Sequence, residues 1–311
     1  MMEFSHIPVL LHQAVDGLQI RPDGIYVDGT MGGGGHSSEI LSHLADTGRL
    51  VGIDQDSEAV AVCRQRLGND KKVIIVNDNF RNIKAILSQL GISSIDGALL
   101  DLGVSSYQID NAARGFSYMA DAPLDMRMDQ HNPLDAYAVV NTYREEKLAA
   151  IFFDYGEERF SRRIAADIVR QRGKKPIETT AQLADIIRHA VPERMRQKGS
   201  HPAKRVFQAI RIEVNGELQI LRQALEDFFD CLQSGGRLCV ITFHSLEDRI
   251  VKQAFASFAA GCICPKDFPV CVCGRQPRGR VVTKKPIEPD GGEQERNPRA
   301  KSAKLRIVQK K

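Results

Sequence analysis

The chain has 311 residues, 42% of them hydrophobic and 26% charged, with a net charge of +4. That balance belongs to a globular protein with room for two domains, and no apolar run reaches the roughly 20 residues that span a bilayer. The opening MMEFSHIPVL has neither a basic stretch nor a long apolar core, so it reads as no secretory signal, and the expectation is a cytoplasmic protein.

From residue 25 the pattern alternates strand and helix. Strands are expected at 25–28, 49–53, 72–76 and 95–100, and helices at 36–46, 56–67 and 81–90. Short links between them predict a parallel sheet with right-handed crossovers. The first strand ends in Asp28 and runs into Gly32–Gly35; the second ends in Asp54, 25 residues after Gly29. Glycines there allow a tight strand-to-helix turn and a close backbone approach to a ligand, while the acid suits ribose hydroxyls. The helix opening behind them favours a carboxylate or phosphate. An adenosine-containing cofactor is therefore expected, with a glycine-rich loop that binds nothing as the alternative. The dinucleotide pattern G-x-G-x-x-G is broken, because Gly33 and Gly35 lead to Ser38 and Gly32 and Gly34 lead to Ser37. Asp28 also suits a positively charged sulfonium better than a pyrophosphate.

Asn77-Asp78-Asn79-Phe80 follows the third strand; Phe80 flanks an adenine ring or opens the core face of the next helix. The fourth strand ends in LLDLGVSS, which sets Asp101 and the loop to Ser106 beside the cofactor. Residues 110–205 carry almost no strand signal, with helices expected at Glu146–Tyr155, Glu157–Arg172 and Thr180–Ala190. The α/β rhythm then resumes with a helix at 215–233, stopped by Gly235-Gly236, and a buried strand at 237–243. Ser245 and Asp248 suggest a capping box for the following helix. His244 is an active-site candidate or a structural group. Short strands near 281–283 and 304–308 complete the sheet.

Basic residues cluster at 159–175, 188–205 and 274–311, the last with twelve Lys/Arg against four acids. Such clusters are either solvated faces or phosphate contacts, and three of them beside a cofactor domain favour nucleic acid. Cys262, Cys264, Cys271 and Cys273 form C-x-C-x6-C-x-C. They supply four soft ligands for a structural zinc, with free thiols or a redox-sensitive pair as the other readings.

These segments together resemble one family. HIPVLL (6–11), DGTMGGGGHS (28–37), DLGVSS with Gln108, RGFSYM (114–119), PLDMRM (123–128), YGEERF (155–160), HPAKRVFQAIRIEVN (201–215), TFHSLEDR (242–249) and NPRAKSAKLR (297–306) are similar to the bacterial RsmH (MraW) family. The resemblance runs from near residue 6 to near residue 308. It implies a Rossmann-like S-adenosylmethionine-dependent methyltransferase sheet with an inserted all-helical domain. The expected division is residues 1–112 with 206–311 for the methyltransferase domain and 113–205 for substrate recognition. The resemblance further implies methylation of the exocyclic N4 of a cytidine in the decoding region of 16S rRNA, conventionally position 1402.

Cofactor contacts are implied at Gly34, Gly35, His36, Asp54, Phe80, Asp101 and Gln108, of which His36 and Gln108 come from the resemblance alone. Asp101, Ser105 and Ser106 are the candidates for orienting the acceptor amine. The D/N/S-P-P-Y/F signature of many amino-group methyltransferases is replaced here by DLGV. The partner is 16S rRNA or the small ribosomal subunit, with no membrane; a homodimer stays open. Two other functions compete, an NAD-dependent oxidoreductase and a non-catalytic rRNA-binding or assembly factor that keeps the fold.

Overall fold

The computed structural model describes residues 8–196, 201–262, 264, 268–270 and 272–311. The chain opens with α1 (Leu11–Leu18), β1 (Ile25–Asp28), α2 (Gly35–Ser42), β2 (Arg49–Asp54), α3 (Ser57–Leu67), β3 (Val73–Asn77), α4 (Ile83–Gln89) and β4 (Ile95–Asp101). Seven helices follow: α5 (Ser106–Asp110), α6 (Ala136–Thr142), α7 (Glu145–Asp154), α8 (Ser161–Arg172), α9 (Thr180–Ala190), α10 (Glu193–Arg196) and α11 (Ala203–Asn215). The return leg is α12 (Glu217–Cys231), β5 (Leu232–Thr242), α13 (Ser245–Ala259), β6 (Gly279–Val281), α14 (Gly291–Arg296) and β7 (Lys304–Lys310). No helix among the described residues is long and apolar enough to cross a membrane.

Two compact units result. One holds the chain up to Gly103 together with Leu218–Lys311; the other is Val104–Glu217. The expected borders at 113 and 205 fall inside the second unit, because α5 at one end and α11 at the other carry its contacts. Gln108 caps α5, and α11 buries Val206, Phe207, Ala209, Ile210 and Val214 in the helical core.

The sheet of the first unit runs β3-β2-β1-β4-β5-β7-β6, with β7 antiparallel to both β5 and β6 and the remaining pairs parallel. Strand order reverses between β1 and β4, which opens a crevice beyond their carboxyl ends. Alternate residues serve opposite layers, as the two-residue strand period demands. Tyr26, Leu50, Leu99, Cys239 and Ile241 pack with Ala14 and Leu18 of α1 and Ile40 and Leu41 of α2. Val27, Val51, Ala98, Leu100 and Val240 pack with Ile83 and Ile86 of α4, Phe228 and Phe229 of α12, and Phe255 and Phe258 of α13.

Two local expectations are corrected. The proposed capping box at Ser245 is not what starts α13: His244 holds the cap position without a side-chain cap, Glu247 Oε2 accepts from Phe243 N at 2.8 Å, and Asp248 forms a two-pronged pair with Arg306 at 2.6 and 3.0 Å. The helix expected from Glu157 starts at Ser161 instead. Glu157 sits at φ +48, and the Glu158 carboxylate accepts from Phe160 N at 2.9 Å, so this segment is a turn.

In the second unit the helical stripes do meet: Ile164 and Ile168 of α8, Leu183 and Ile187 of α9, and Leu148 and Phe152 of α7 share one core. Segments singled out in the sequence hold this unit together. Arg114, 5% exposed, donates to the carbonyls of Arg127 and Met128, and Asn215 bonds both Met126 O and Met128 N.

Candidate active site

Five strand ends bring the chemistry together at the crevice. Asp28 ends β1, pairs in register with Leu99, and is buried. Its Oδ2 accepts from Ser37 Oγ at 2.6 Å and its Oδ1 from Thr30 N at 3.2 Å. Burial pushes this carboxyl up to about 6, against the two hydrogen bonds that favour its charged form. Asp54 ends β2. Its Oδ2 accepts from Gly32 N at 2.7 Å and its Oδ1 from Asp56 N at 2.9 Å, so the acid also pins the glycine loop. Asp54 is likewise pushed up to about 6, first by burial and then by the neighbouring Asp56 and Asp28 charges, against its backbone hydrogen bonds.

The loop itself explains its glycines. Gly34 sits at φ +81, where a side chain is strained, and a Cβ there would lie 3.2 Å from Cys63 Sγ. A Cβ on Gly35 would lie 2.3 Å from the Pro8 ring. Cys63 Sγ contacts Gly32 O at 3.2 Å, and Arg66 donates to Gly33 O at 2.8 Å. The loop is therefore a backbone cradle held from outside by α3.

Asp101 ends β4. Thr30 Oγ1 accepts from its backbone N at 2.6 Å, which ties this strand end to the glycine loop. Oδ2 lies 3.7 Å from His36 Nδ1, and Oδ1 is buried with no hydrogen-bond partner. His36 is 6% exposed and its Nε2 stands 3.1 Å from Val9 O. A carbonyl only accepts, so Nε2 carries a proton and Nδ1 faces the carboxyl. Asp101 is pushed well above the usual carboxylate range by burial, then by the negative charges of Asp28 and Glu247. Glu247 also stands 3.0 Å from His244 Nε2, while His244 Nδ1 is buried without a partner.

The remaining candidates separate. Phe80 is half-buried against the core beside Phe228, at the start of a short turn that Asn79 caps through Arg81 N. Asn79 also joins Gln55 at 2.6 Å, tying the ends of β2 and β3. Ser105, Ser106 and Gln108 belong to the second unit. There Ser105 Oγ accepts from Gln108 N at 3.2 Å and Gln108 Oε1 from Ser105 N at 3.0 Å. Sequence reasoning missed Thr30, Ser37 and Glu247. Thr30 and Ser37 lay within the quoted DGTMGGGGHS and Glu247 within TFHSLEDR, and no spacing singled them out there.

Three carboxyl groups, Asp28, Asp54 and Asp101, thus converge on one crevice. Among the described residues none of them pairs with a lysine or arginine; their partners are backbone N–H groups, Ser37 and His36. Buried negative charge without a protein counter-ion costs energy that a cationic ligand offsets. The glycine cradle, the cation preference and the free Asp101 Oδ1 fit an adenosine sulfonium and oppose a pyrophosphate.

The model of the MraW methylase family matches residues 3–311. A "Ribosomal RNA small subunit methyltransferase H" from Clostridium botulinum (strain Loch Maree / Type A3) is 57% identical over 309 residues, covering 99% of this chain and 100% of that one. Its namesake from Clostridioides difficile (strain 630) is 53% identical over 310 residues with the same coverage. Among solved structures, a putative rRNA-methylase from Clostridium thermocellum aligns with 98% of this chain and 100% of its own at 12% identity and a TM-score of 0.46.

Proposed function

Because this chain belongs to the MraW methylase family, we propose that it transfers a methyl group from S-adenosylmethionine to the exocyclic N4 of a cytidine in the decoding region of 16S rRNA. The observation that carries the donor is the set of three carboxyls at the ends of β1, β2 and β4, Asp28 buried and Asp54 and Asp101 partly so, with no lysine or arginine partner among the described residues. The names of the relatives support small-subunit rRNA as the acceptor molecule, and the N4 amine rests on the motif resemblance and on the free Asp101 oxygen.

Gly34 and Gly35 let the backbone close on the methionine end of the donor, and Asp54 faces its ribose. Each Asp54 oxygen accepts one N–H and keeps a lone pair for a hydroxyl. When bound, the sulfonium supplies an activated methyl group. The cytosine amino nitrogen is a weak nucleophile because its lone pair is conjugated with the ring. As the nitrogen–methyl bond forms and the sulfur–methyl bond breaks, that nitrogen gains positive charge and must shed a proton. Asp101 Oδ1 accepts a hydrogen bond from the amine and then takes that proton. Ser105 Oγ is already engaged in the α5 cap, which favours Asp101 for this role. The target base leaves its stack to reach the crevice.

Not every basic residue serves RNA. Arg172 donates into the carbonyls of Val140 and Tyr143 at 2.6 and 2.5 Å, and Arg278, Arg306 and Lys310 brace the first unit. Arg159, Arg162, Arg163 and Lys204 are exposed. Arg205, next to Lys204, reaches Glu157 O at 3.3 Å, which brings the start of α11 to the turn before α8. This is the phosphate-binding face of the helical unit.

Labelled methyl donor tests the reading on small subunits that lack the modification and on subunits that carry it. Incorporation is expected only into the former, and Asp101→Asn should slow a single turnover by about a hundredfold or more. No incorporation into unmodified subunits points to the non-catalytic assembly factor, and an unchanged Asp101→Asn rate removes that residue from the step.

A further inference from the structure

The methyl-transfer reading leaves the cysteine cluster unused. Cys262, Cys264 and Cys273 lie in the segment between α13 and β6, in which no described residue is helical or extended. The base of the segment is pinned: Arg278 N donates to Phe258 O at 2.9 Å and Arg275 to Ser257 O at 3.0 Å. Phe268, Val270 and Val272 are 51%, 70% and 74% exposed, so these three apolar side chains of the segment add no core. A connection this long closes at an entropic cost that something else must offset.

The three thiols provide it. Their sulfur atoms all lie within 4.8 Å of one another, and Cys262 Sγ and Cys273 Sγ are 3.9 Å apart. A disulfide requires about 2.05 Å. Sulfurs placed tetrahedrally at about 2.3 Å from zinc are about 3.8 Å from each other, close to the 3.9 Å between Cys262 and Cys273. Cys264 N donates to Cys262 Sγ at 3.3 Å, a bond that favours a thiolate over a thiol. We propose that these thiolates bind one structural zinc ion that closes the α13–β6 loop. The sequence adds a fourth thiol, Cys271, two residues before Cys273, which lies outside the described residues. β6 is the edge strand of the sheet, four strands from β1, so this ion takes no part in the methyl step.

The full-length protein, stripped by chelation and kept reduced, is titrated with Co2+ and then Zn2+. The expected result is about one equivalent of Co2+, with the absorption of a tetrahedral thiolate complex, displaced by Zn2+. Cys262→Ser and Cys273→Ser abolish that spectrum, while Cys231→Ser, outside the loop, keeps it. Binding below about 0.2 equivalents by the unsubstituted chain overturns the proposal. So does an unchanged spectrum in both loop variants, or a Cys262–Cys273 disulfide as the stable state under the same reducing conditions.

Discussion

Asp28 shows how one residue trades stability against binding. Its carboxyl is pushed from 3.8 to about 6 by burial, so between those values the folded chain holds a proton that the unfolded chain has released. Stability from this group is present at low pH and is lost as pH rises through about 6, on the order of 3 kcal/mol. In the proposed reading the same charge attracts a cationic donor. Asp28→Asn should therefore raise the melting temperature of the ligand-free protein at neutral pH and weaken S-adenosylmethionine binding there. Thermal scans and calorimetry across pH 5 to 8 check both, at about one-unit resolution around the pushed-up values of Asp28 and Asp54. An affinity for the donor that does not fall as pH drops through about 6 contradicts the assignment. Asp28, Asp54 and the glycines were legible in the sequence because strand ends and turn residues carry local signals. Thr30 and Glu247 were not, since their value comes from contacts with Asp101 and His244 that only the folded sheet creates.

At the scale of elements, the strand alternation set the sheet faces, and the aromatic residues of α12 and α13 fill one of them. Phe228 is fully buried there, and a side chain on Gly29 would lie 3.1 Å from its ring. The packing thus supports the first turn of the glycine loop. Phe228→Ala should destabilise the protein by about 3–5 kcal/mol, measured by denaturant unfolding of the first unit's transition. A loss under about 1 kcal/mol would show that α12 does not brace the loop. Helix starts were less legible than faces. Ser245 and Asp248 match a capping box by spacing, yet Asp248 finds a stronger partner in Arg306, 58 residues away. A local pattern lost to a tertiary ion pair. Glu157 likewise fits the helical stripe of α8 but is bent out of it at φ +48.

The whole molecule has a doubly wound sheet with a helical unit inserted in the chain between β4 and β5. Counting basic residues overstated the RNA surface, because Arg172, Arg278 and Arg306 are spent on carbonyls and carboxylates within their own units. Arg159, Arg162, Arg163 and Lys204 are among the exposed basic residues, and the proposed reading assigns them to phosphate. Replacing Arg162 and Arg163 with alanine should weaken RNA binding and lower the slope of log affinity against log salt by about 1.4. An unchanged slope places the phosphate contacts elsewhere. The atom methylated decides the account as a whole. Small subunits lacking the modification are treated with the protein and S-adenosylmethionine, and their 16S rRNA is digested to nucleosides and separated by chromatography with mass detection. The account predicts N4-methylcytidine as the new nucleoside, formed about a hundredfold more slowly when Asp101→Asn replaces the unsubstituted chain; a methyl group on any other atom, or none, contradicts it.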